Sequence, residues 1–238
     1  MRHWRAVPIP KLPLRLLGLS DVYHRWWWQR TIARRSVLTD WNEKHVAIFV
    51  HIPKTAGTSI LAALGAEPVF DTHAPARAYA RAYPEFYRRA YKFAFVRNPW
   101  DRFASSFHFM KHGTEWPMQQ EWARRHIGTM DFAEFTLRLR NPLFRATVLS
   151  ERFFWAQTIW LGGLGNAGGV DQIFRFEEID AATSALCARF ALPTPATTPH
   201  LRQGAKADFR RLYNGPMIDV VTKLYGPDIA ALGYRYPE

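Results

Sequence analysis

The chain has 238 residues, a length that suits one sizeable domain better than two. Its hydrophobic content of 48% is typical of a globular protein, and no run of about 18 apolar residues is present to predict a membrane-spanning helix. The formal net charge of +12 favours anionic partners, which include nucleic acid, anionic lipid, phosphorylated cofactors and acidic glycans. The single cysteine excludes an internal disulfide and a multi-cysteine zinc site, so we expect a reducing, cytoplasmic location.

The first forty residues differ from the rest of the chain. They hold eight Lys or Arg against two acids, which is half of the excess positive charge. Apolar residues recur every three or four positions between Leu12 and Trp26, as in an amphipathic helix, and three tryptophans stand together in "RWWWQR". We interpret residues 1–40 as a basic, Trp-rich arm that packs on the main domain; the alternative is peripheral contact with an anionic membrane. Residues 41–238 are expected to form a single domain.

Strand and helix patterns alternate along the body of the chain. Short apolar runs predict buried strands, and the stretches between them have helical spacing. The predicted elements are a strand at "HVAIFVHI", a helix at "TSILAALGA", a short strand at "PVFD", a helix broken at Pro84, a strand at "KFAFV", a helix capped by Asn98, and a strand at "VDQIFRFEEI" followed by a helix. This order predicts an α/β fold with a central parallel sheet flanked by helices, and with extra helices in the middle and C-terminal parts.

The segment "HIPKTAGTS" joins the first predicted strand to its helix and has the composition of an anion site. Unpaired backbone N–H groups and the helix dipole favour negative charge at a helix start. Gly57 permits close approach of the backbone, Thr55, Thr58 and Ser59 supply hydroxyls, and Lys54 adds a full charge. Small polar residues also cap ordinary helices, but the buried strand and the lysine favour the anion site.

This segment departs from the G-x-x-x-x-G-K-[ST] loop of nucleoside triphosphatases. Here the lysine precedes the glycine, and no upstream glycine is present. The sequence also has no convincing apolar strand that ends in an aspartate to hold magnesium. We therefore expect an anion other than the triphosphate of Mg·ATP, and we predict no metal in the site.

A second polar cluster lies in "FAFVRNPWDRFASSF". Arg97 follows the end of a predicted strand, and Ser105 lies about two turns into the next helix. A strand-end arginine and a hydroxyl on the following helix can hold one phosphate between them. The structural alternative is an ion pair between Arg97 and Asp101, which can coexist with that role. Two anion sites at the ends of two adjacent strands imply a ligand with two separated anionic groups.

Together these two motifs resemble the 5′-phosphosulfate loop and the 3′-phosphate motif of sulfotransferases that use 3′-phosphoadenosine 5′-phosphosulfate (PAPS). The resemblance is closest to the carbohydrate branch that includes the heparan sulfate 2-O-type enzymes and their bacterial relatives. Weaker similarities extend over most of residues 45–235, at "THAPARAY", "AQTIWL", "IFRFEEI", "TPHLRQG" and "YGPDIAALGY". One departure is Arg202, which stands where relatives often have asparagine.

The resemblance implies a P-loop-like three-layer fold and sulfuryl transfer from PAPS, without a metal, to the hydroxyl of an acceptor, most simply a carbohydrate. It assigns the 5′-phosphosulfate to the segment Lys54, Thr55, Ala56, Gly57, Thr58 and Ser59. It assigns the 3′-phosphate to Arg97 and Ser105. Lys54 would also stabilise the charge on the leaving oxygen.

Sulfuryl transfer needs a base for the acceptor hydroxyl, and the resemblance carries that role to His73 in "DTHAPA". From the residues alone the choice stays open. The other candidates are His51 at the strand end, His108 and His112 on a helix, His200 in a proline-rich loop, and the carboxylates Glu115 and Glu151.

Two other functions compete with the transferase. One is a kinase with a degenerate phosphate loop, which would bind ATP with magnesium. The other is a basic module that binds nucleic acid or membrane, with steep salt dependence and no preference for a bisphosphorylated nucleoside. The pairing of residues 54–59 with Arg97 and Ser105 favours the transferase, with no nucleic acid partner.

Overall fold

The computed structural model of the chain describes residues 38–66, 73–162, 169–198 and 208–237. The predicted strand "PVFD", the loop that contains His200 and Arg202, and nearly all of the Trp-rich arm lie outside these residues. The predictions about them therefore stay predictions. Among the residues that are described, no helix is both long enough and apolar enough to cross a lipid bilayer.

Three strands form one parallel sheet in the order β1 (Ala47–Val50), β2 (Tyr91–Val96), β3 (Gln172–Arg175). Every residue of β1 is buried, and so is every residue of β2 after the first. Their continuous apolar sequences are what a strand covered on both faces requires. β3 is more exposed: Gln172 and Ile173 are exposed, and Phe174 and Arg175 are only partly buried. The three described strands confirm the parallel sheet predicted from the sequence.

Short helices make up most of the remaining described chain. Numbered in chain order, they are α1 (Asp40–His45), α2 (Gly57–Ala63), α3 (Ala76–Ala82), α4 (Pro84–Arg89), α5 (Pro99–His108), α6 (Pro117–His126), α7 (Phe132–Arg138), α8 (Pro142–Val148), α9 (Gln157–Trp160), α10 (Ile179–Arg189), α11 (Gly215–Leu224) and α12 (Gly226–Leu232). A π-helical turn (Phe109–Gly113) continues α5 directly, and 3₁₀ turns occupy Arg152–Phe154, Phe176–Glu178 and Phe209–Leu212.

Local sequence signals explain where several helices begin and end. The Asn98 side chain accepts hydrogen bonds from the backbone N–H groups of Trp100 at 3.1 Å and Asp101 at 3.4 Å, and so caps α5. Pro84 begins α4 directly after α3 has ended, because proline cannot continue a helix but fits a first turn. Gly65, just beyond α2, has a φ of +63°. The predicted cap and the predicted break are both confirmed.

Helices cover both faces of the sheet. Successive strand residues point to opposite sides, so Phe49, Phe93 and Phe95 pack with α2 and α10 on one face. Ile48 and Val96 face the other side, where α5, α7, α11 and the chain between α8 and α9 complete a larger core. The result is the three-layer α/β arrangement that the resemblance predicted.

The sheet also brings the two predicted anion motifs to one edge. β1 and β2 run parallel with Val50 beside Ala94, so their carboxyl ends lie side by side. The chain leaves β1 into residues 51–56 and leaves β2 into residues 97 and 98. Ligands of open parallel α/β sheets bind at this edge of the strands.

Candidate active site

The turn between β1 and α2 has an unusual backbone. Lys54 and Ala56 adopt left-handed φ values of 70° and 61°, a region that costs non-glycine residues about 1–3 kcal/mol each. These two residues reverse the chain so that α2 begins at Gly57. The helix is capped by Ala56, whose side chain has no oxygen to accept from the first-turn N–H groups. The turn is therefore shaped to offer backbone donors to an anion.

The six predicted loop residues differ in exposure. Lys54, Ala56 and Thr58 are partly accessible, whereas Thr55 and Ser59 are buried. The Thr55 hydroxyl donates to the carbonyl oxygen of Ile52 at 2.9 Å, so its proton is committed within the turn. The group that Thr55 can still offer to a ligand is on its backbone.

A histidine explains why residue 57 is glycine. A Cβ atom at position 57 would lie 1.9 Å from Nε2 of His51, far inside van der Waals contact. The His51 ring is buried and stacks on Phe49, with 5.3 Å between ring centroids and 15° between planes. The first residue after β1 thus packs directly beneath the start of α2.

His73 lies on this same edge, against His51. Their ring centroids are 4.1 Å apart, and Nδ1 of His73 is 3.0 Å from the backbone oxygen of His51. A carbonyl oxygen only accepts, so this contact places the proton on Nδ1 and leaves the lone pair on Nε2. His73 therefore has the tautomer that a base acting through Nε2 requires.

The environment keeps both imidazoles neutral. Burial, followed by the charges of Arg152 and Lys54, lowers the pKa of His51 to about 3. Burial, followed by the neighbouring His51 and Arg152, holds the pKa of His73 well below its usual value. Both side chains are consequently unprotonated at neutral pH.

Arg97 is held in a fixed orientation at the end of β2. Its Nε and Nη2 donate to the two carboxylate oxygens of Asp101 at 2.7 and 2.8 Å, and Nη1 donates to the backbone oxygen of Lys54 at 3.3 Å. The guanidinium carbon lies 4.3 Å from the centroid of Phe176. These three bonds use three of the five guanidinium N–H groups, which leaves two for a phosphate. The Asp101 pair and a ligand-binding role are thus compatible.

The backbone of Arg97 is fixed as well. The buried Gln157 accepts from the Arg97 N–H at 2.9 Å and donates to the Arg97 carbonyl at 2.8 Å. The Gln157 backbone N–H in turn donates to the fully buried Asp228 of α12 at 2.6 Å, and Thr158 donates to the same carboxylate. A chain of hydrogen bonds therefore runs from Asp228 on α12 through Gln157 to the backbone of Arg97.

One face of α5 joins the two anion motifs. Asp101, Ser105 and Phe109 are four residues apart, a spacing that aligns side chains along a helix, and all three are partly exposed. Asp101 contacts Arg97, and the Lys54 ammonium lies 4.1 Å from the centroid of Phe109. Ser105 lies between these two contacts, on the face that its predicted phosphate role requires.

The buried face of α5 attaches this helix to its surroundings. Arg102 is only 1% exposed and donates to the carbonyl oxygens of Pro53 at 2.9 Å and Trp155 at 2.8 Å. Ser106 donates to the carbonyl oxygen of Phe153 at 2.9 Å. The turn of residues 51–56, called the phosphate loop here after its predicted role, is therefore held together with α5 and residues 153–155.

The alternative bases are placed differently from His73. His108, His112 and Glu115 are exposed. Glu151 is partly exposed. Its charge acts to raise the pKa of His126, but burial has the larger effect and the pKa of His126 is lowered. Of the described alternatives, only His51 lies beside His73, and its ring packs against the start of α2.

Comparison with known families identifies the class of this fold and site. The model of the sulfotransferase family matches residues 39–235, which is most of the chain. The chain belongs to that family and is an enzyme of sulfuryl transfer, for which the family normally uses PAPS as the donor. No curated protein and no solved structure matches it. The narrower likeness to heparan sulfate 2-O-type enzymes stays a prediction.

Several side chains at the site were missed by the sequence analysis. Phe109, Phe153 and Gln157 contact the predicted residues or fix them. The two phenylalanines belong to no recognised motif, and Gln157 lies in the similar segment "AQTIWL" without having been given a role. The four-residue spacing from Asp101 through Ser105 to Phe109 was the available signal for one of them.

The contact between His51 and Gly57 gives a direct test of the loop geometry. Gly57→Ala should lower the free energy of unfolding by about 1–3 kcal/mol, because the new methyl overlaps the His51 ring. In the double variant with His51→Ala the methyl has room, so the loss from Gly57→Ala should shrink. Urea denaturation measures both, with Gly215→Ala as the control, since a methyl there meets nothing within 4 Å. Additive losses in the double variant would contradict the packing described.

Proposed function

We propose that the site transfers a sulfuryl group from PAPS to a hydroxyl of a carbohydrate acceptor, with His73 as the base and Lys54 at the leaving oxygen. The observation that carries this proposal is the pairing of two anion-binding motifs at the adjacent ends of β1 and β2. A donor with a 5′-phosphosulfate and a 3′-phosphate has two anionic ends to match them. Lys54 to Ser59 would hold the first, and Arg97 with Ser105 the second.

In the proposed reaction, Nε2 of His73 takes the proton of the acceptor hydroxyl as its oxygen attacks the sulfur. The new O–S bond forms while the bond between sulfur and the bridging phosphate oxygen breaks, and adenosine 3′,5′-bisphosphate leaves. Lys54 and the backbone N–H groups of the turn neutralise the charge that gathers on that oxygen. The Nδ1 contact of His73 with the His51 carbonyl supports this role, because it leaves Nε2 available.

The resemblance of both motifs to the carbohydrate branch of these enzymes supports a carbohydrate as the acceptor. The positive charge of Arg152, which lowers the pKa of both His51 and His73, favours an acceptor that carries acidic groups. The net charge of +12 acts in the same direction over longer range and favours acceptors that carry acidic groups. Cytoplasmic location belongs to the same proposal, with residues 1–40 packed on the main domain and peripheral membrane contact through them as the alternative.

Nucleotide binding separates this function from its competitors. Calorimetry should give tighter binding of adenosine 3′,5′-bisphosphate than of Mg·ATP. Lys54→Met should weaken the affinity for the bisphosphate by roughly 10-fold or more, because the substitution removes a charge-assisted contact of about 1.5–3 kcal/mol. Lys223→Met, on the exposed side of α11, is the matched control and should leave binding unchanged. Preference for Mg·ATP would favour a kinase, and absence of nucleotide binding with salt-sensitive binding of nucleic acid would favour a basic binding module.

The base assignment predicts an unusual titration. Because burial and neighbouring cations lower the pKa of His73, the ring should stay neutral as the pH falls from 8 through 6.5, and should gain a proton only well below that. Nitrogen-15 NMR of the imidazoles should find His73 with its proton on Nδ1 over this range. A proton on Nε2, or titration of His73 near pH 6.5, would contradict the proposed base.

A further inference from the structure

The Lys54 ammonium lies over an aromatic ring. Its nitrogen is 4.1 Å from the centroid of Phe109, well within the range of a cation–π contact. Phe109 is the first residue of the π-helical turn that extends α5, and single π-helical turns are frequent at functional sites. The Phe109 ring thus contacts Lys54 at the point where the α-helix of α5 gives way to a π-helical turn.

Other contacts hold the Phe109 ring in place. Its centroid lies 5.0 Å from that of Phe153, with 39° between the planes, and a Cβ atom at position 113 would lie 3.4 Å from the ring edge at Cδ2. Phe153 is buried, and its ring centroid is 6.3 Å from that of His73. The rings of Phe109, Phe153 and His73 therefore form a continuous row that begins at the Lys54 ammonium.

Lysine has a long side chain with several rotatable bonds, so an unsupported ammonium spends much of its time away from one productive position. Lys54 also has a strained backbone, which fixes where the side chain starts but not where it ends. The face of an aromatic ring attracts an ammonium without accepting a conventional hydrogen bond from it. Phe109 therefore has the properties needed to restrict the position of the Lys54 ammonium.

We propose that Phe109 is a positioning residue for Lys54. The Phe109 ring holds the Lys54 ammonium on the side of the phosphate loop that faces His73, so that the ammonium meets the 5′ group of the donor. The inference rests on the proposed function, since it gives Phe109 a part in holding the donor. Phe109 itself contacts neither the donor nor the reacting atoms in this account; it acts through Lys54.

Affinity for adenosine 3′,5′-bisphosphate is the first measurement. Phe109→Leu removes the ring but keeps an apolar side chain of similar size, and should weaken binding by about 2- to 30-fold, the range expected of a cation–π contact. Phe109→Tyr keeps the ring and should restore wild-type affinity. Phe144→Leu is the matched control. The Phe144 ring on α8 is also partly exposed and also lies under a cation, with Arg138 at 4.9 Å, but that cation is not Lys54.

A double-mutant cycle distinguishes positioning from packing. In a Lys54→Met background, Phe109→Leu should have no further effect on affinity, because the group that it positions is gone. If the loss from Phe109→Leu is the same with and without Lys54, or if Phe109→Tyr binds as poorly as Phe109→Leu, the ring is only a packing element and the inference is overturned.

A second readout does not depend on nucleotide. With lysine labelled at Cε, the ring current of Phe109 should move the Lys54 signal upfield, and Phe109→Leu should abolish that displacement while Phe144→Leu leaves it. An undisplaced Lys54 signal in the wild type would overturn the contact itself. If the displacement is present but the wild type does not bind the bisphosphate, the proposed function fails and the positioning role fails with it. Wild-type binding that Phe109→Leu does not alter rejects the positioning role alone.

Discussion

The site depends most on the hydrogen bonds that the buried Arg102 guanidinium donates. Arg102 is 1% exposed, and its donors go to the carbonyl oxygens of Pro53, Phe153 and Trp155, at 2.9, 3.3 and 2.8 Å. These carbonyls belong to the phosphate loop and to the turn after α8, whereas Arg102 itself is on α5. Burying a charge is costly unless its hydrogen bonds are replaced, so this side chain fixes three segments at once.

Because α5 is fixed in this way, its opposite face has a defined direction. Asp101 then meets Arg97, Phe109 meets Lys54, and Ser105 stands between them. The strained backbone of the loop is maintained by the same packing, since His51 fills the space that only a glycine at position 57 leaves. Rigidity at the edge of the sheet therefore comes from buried polar contacts and close packing.

The fold was largely accessible from the sequence. Continuous apolar runs are characteristic of strands covered on both faces, and "VAIFV" and "KFAFV" indeed became β1 and β2. Asn98 and Pro84 marked helix boundaries by local chemistry that tertiary structure did not override. The strand at "PVFD" and the arm of residues 1–40 fall outside the described residues, so those parts of the prediction stand as they were made.

The site was accessible only in part. Residues 54–59, Arg97 and Ser105 could be proposed from the sequence, because anion binding favours recognisable residue types at strand ends. The interactions that orient them could not, because they connect residues distant in sequence: Gln157 with Arg97, or His51 with His73. Such contacts depend on how the layers pack.

The central claim is that Arg97 holds a 3′-phosphate while the loop of Lys54 holds the 5′ group. The most direct measurement compares the affinities of adenosine 3′,5′-bisphosphate and adenosine 5′-phosphate for the wild type and for Arg97→Ala, with Arg88→Ala, at an exposed side chain of α4, as the control. The account predicts that the wild type prefers the bisphosphate by roughly 10- to 100-fold, and that Arg97→Ala loses this preference. If the wild type binds both nucleotides equally, or if Arg97→Ala keeps the full preference, the account is contradicted.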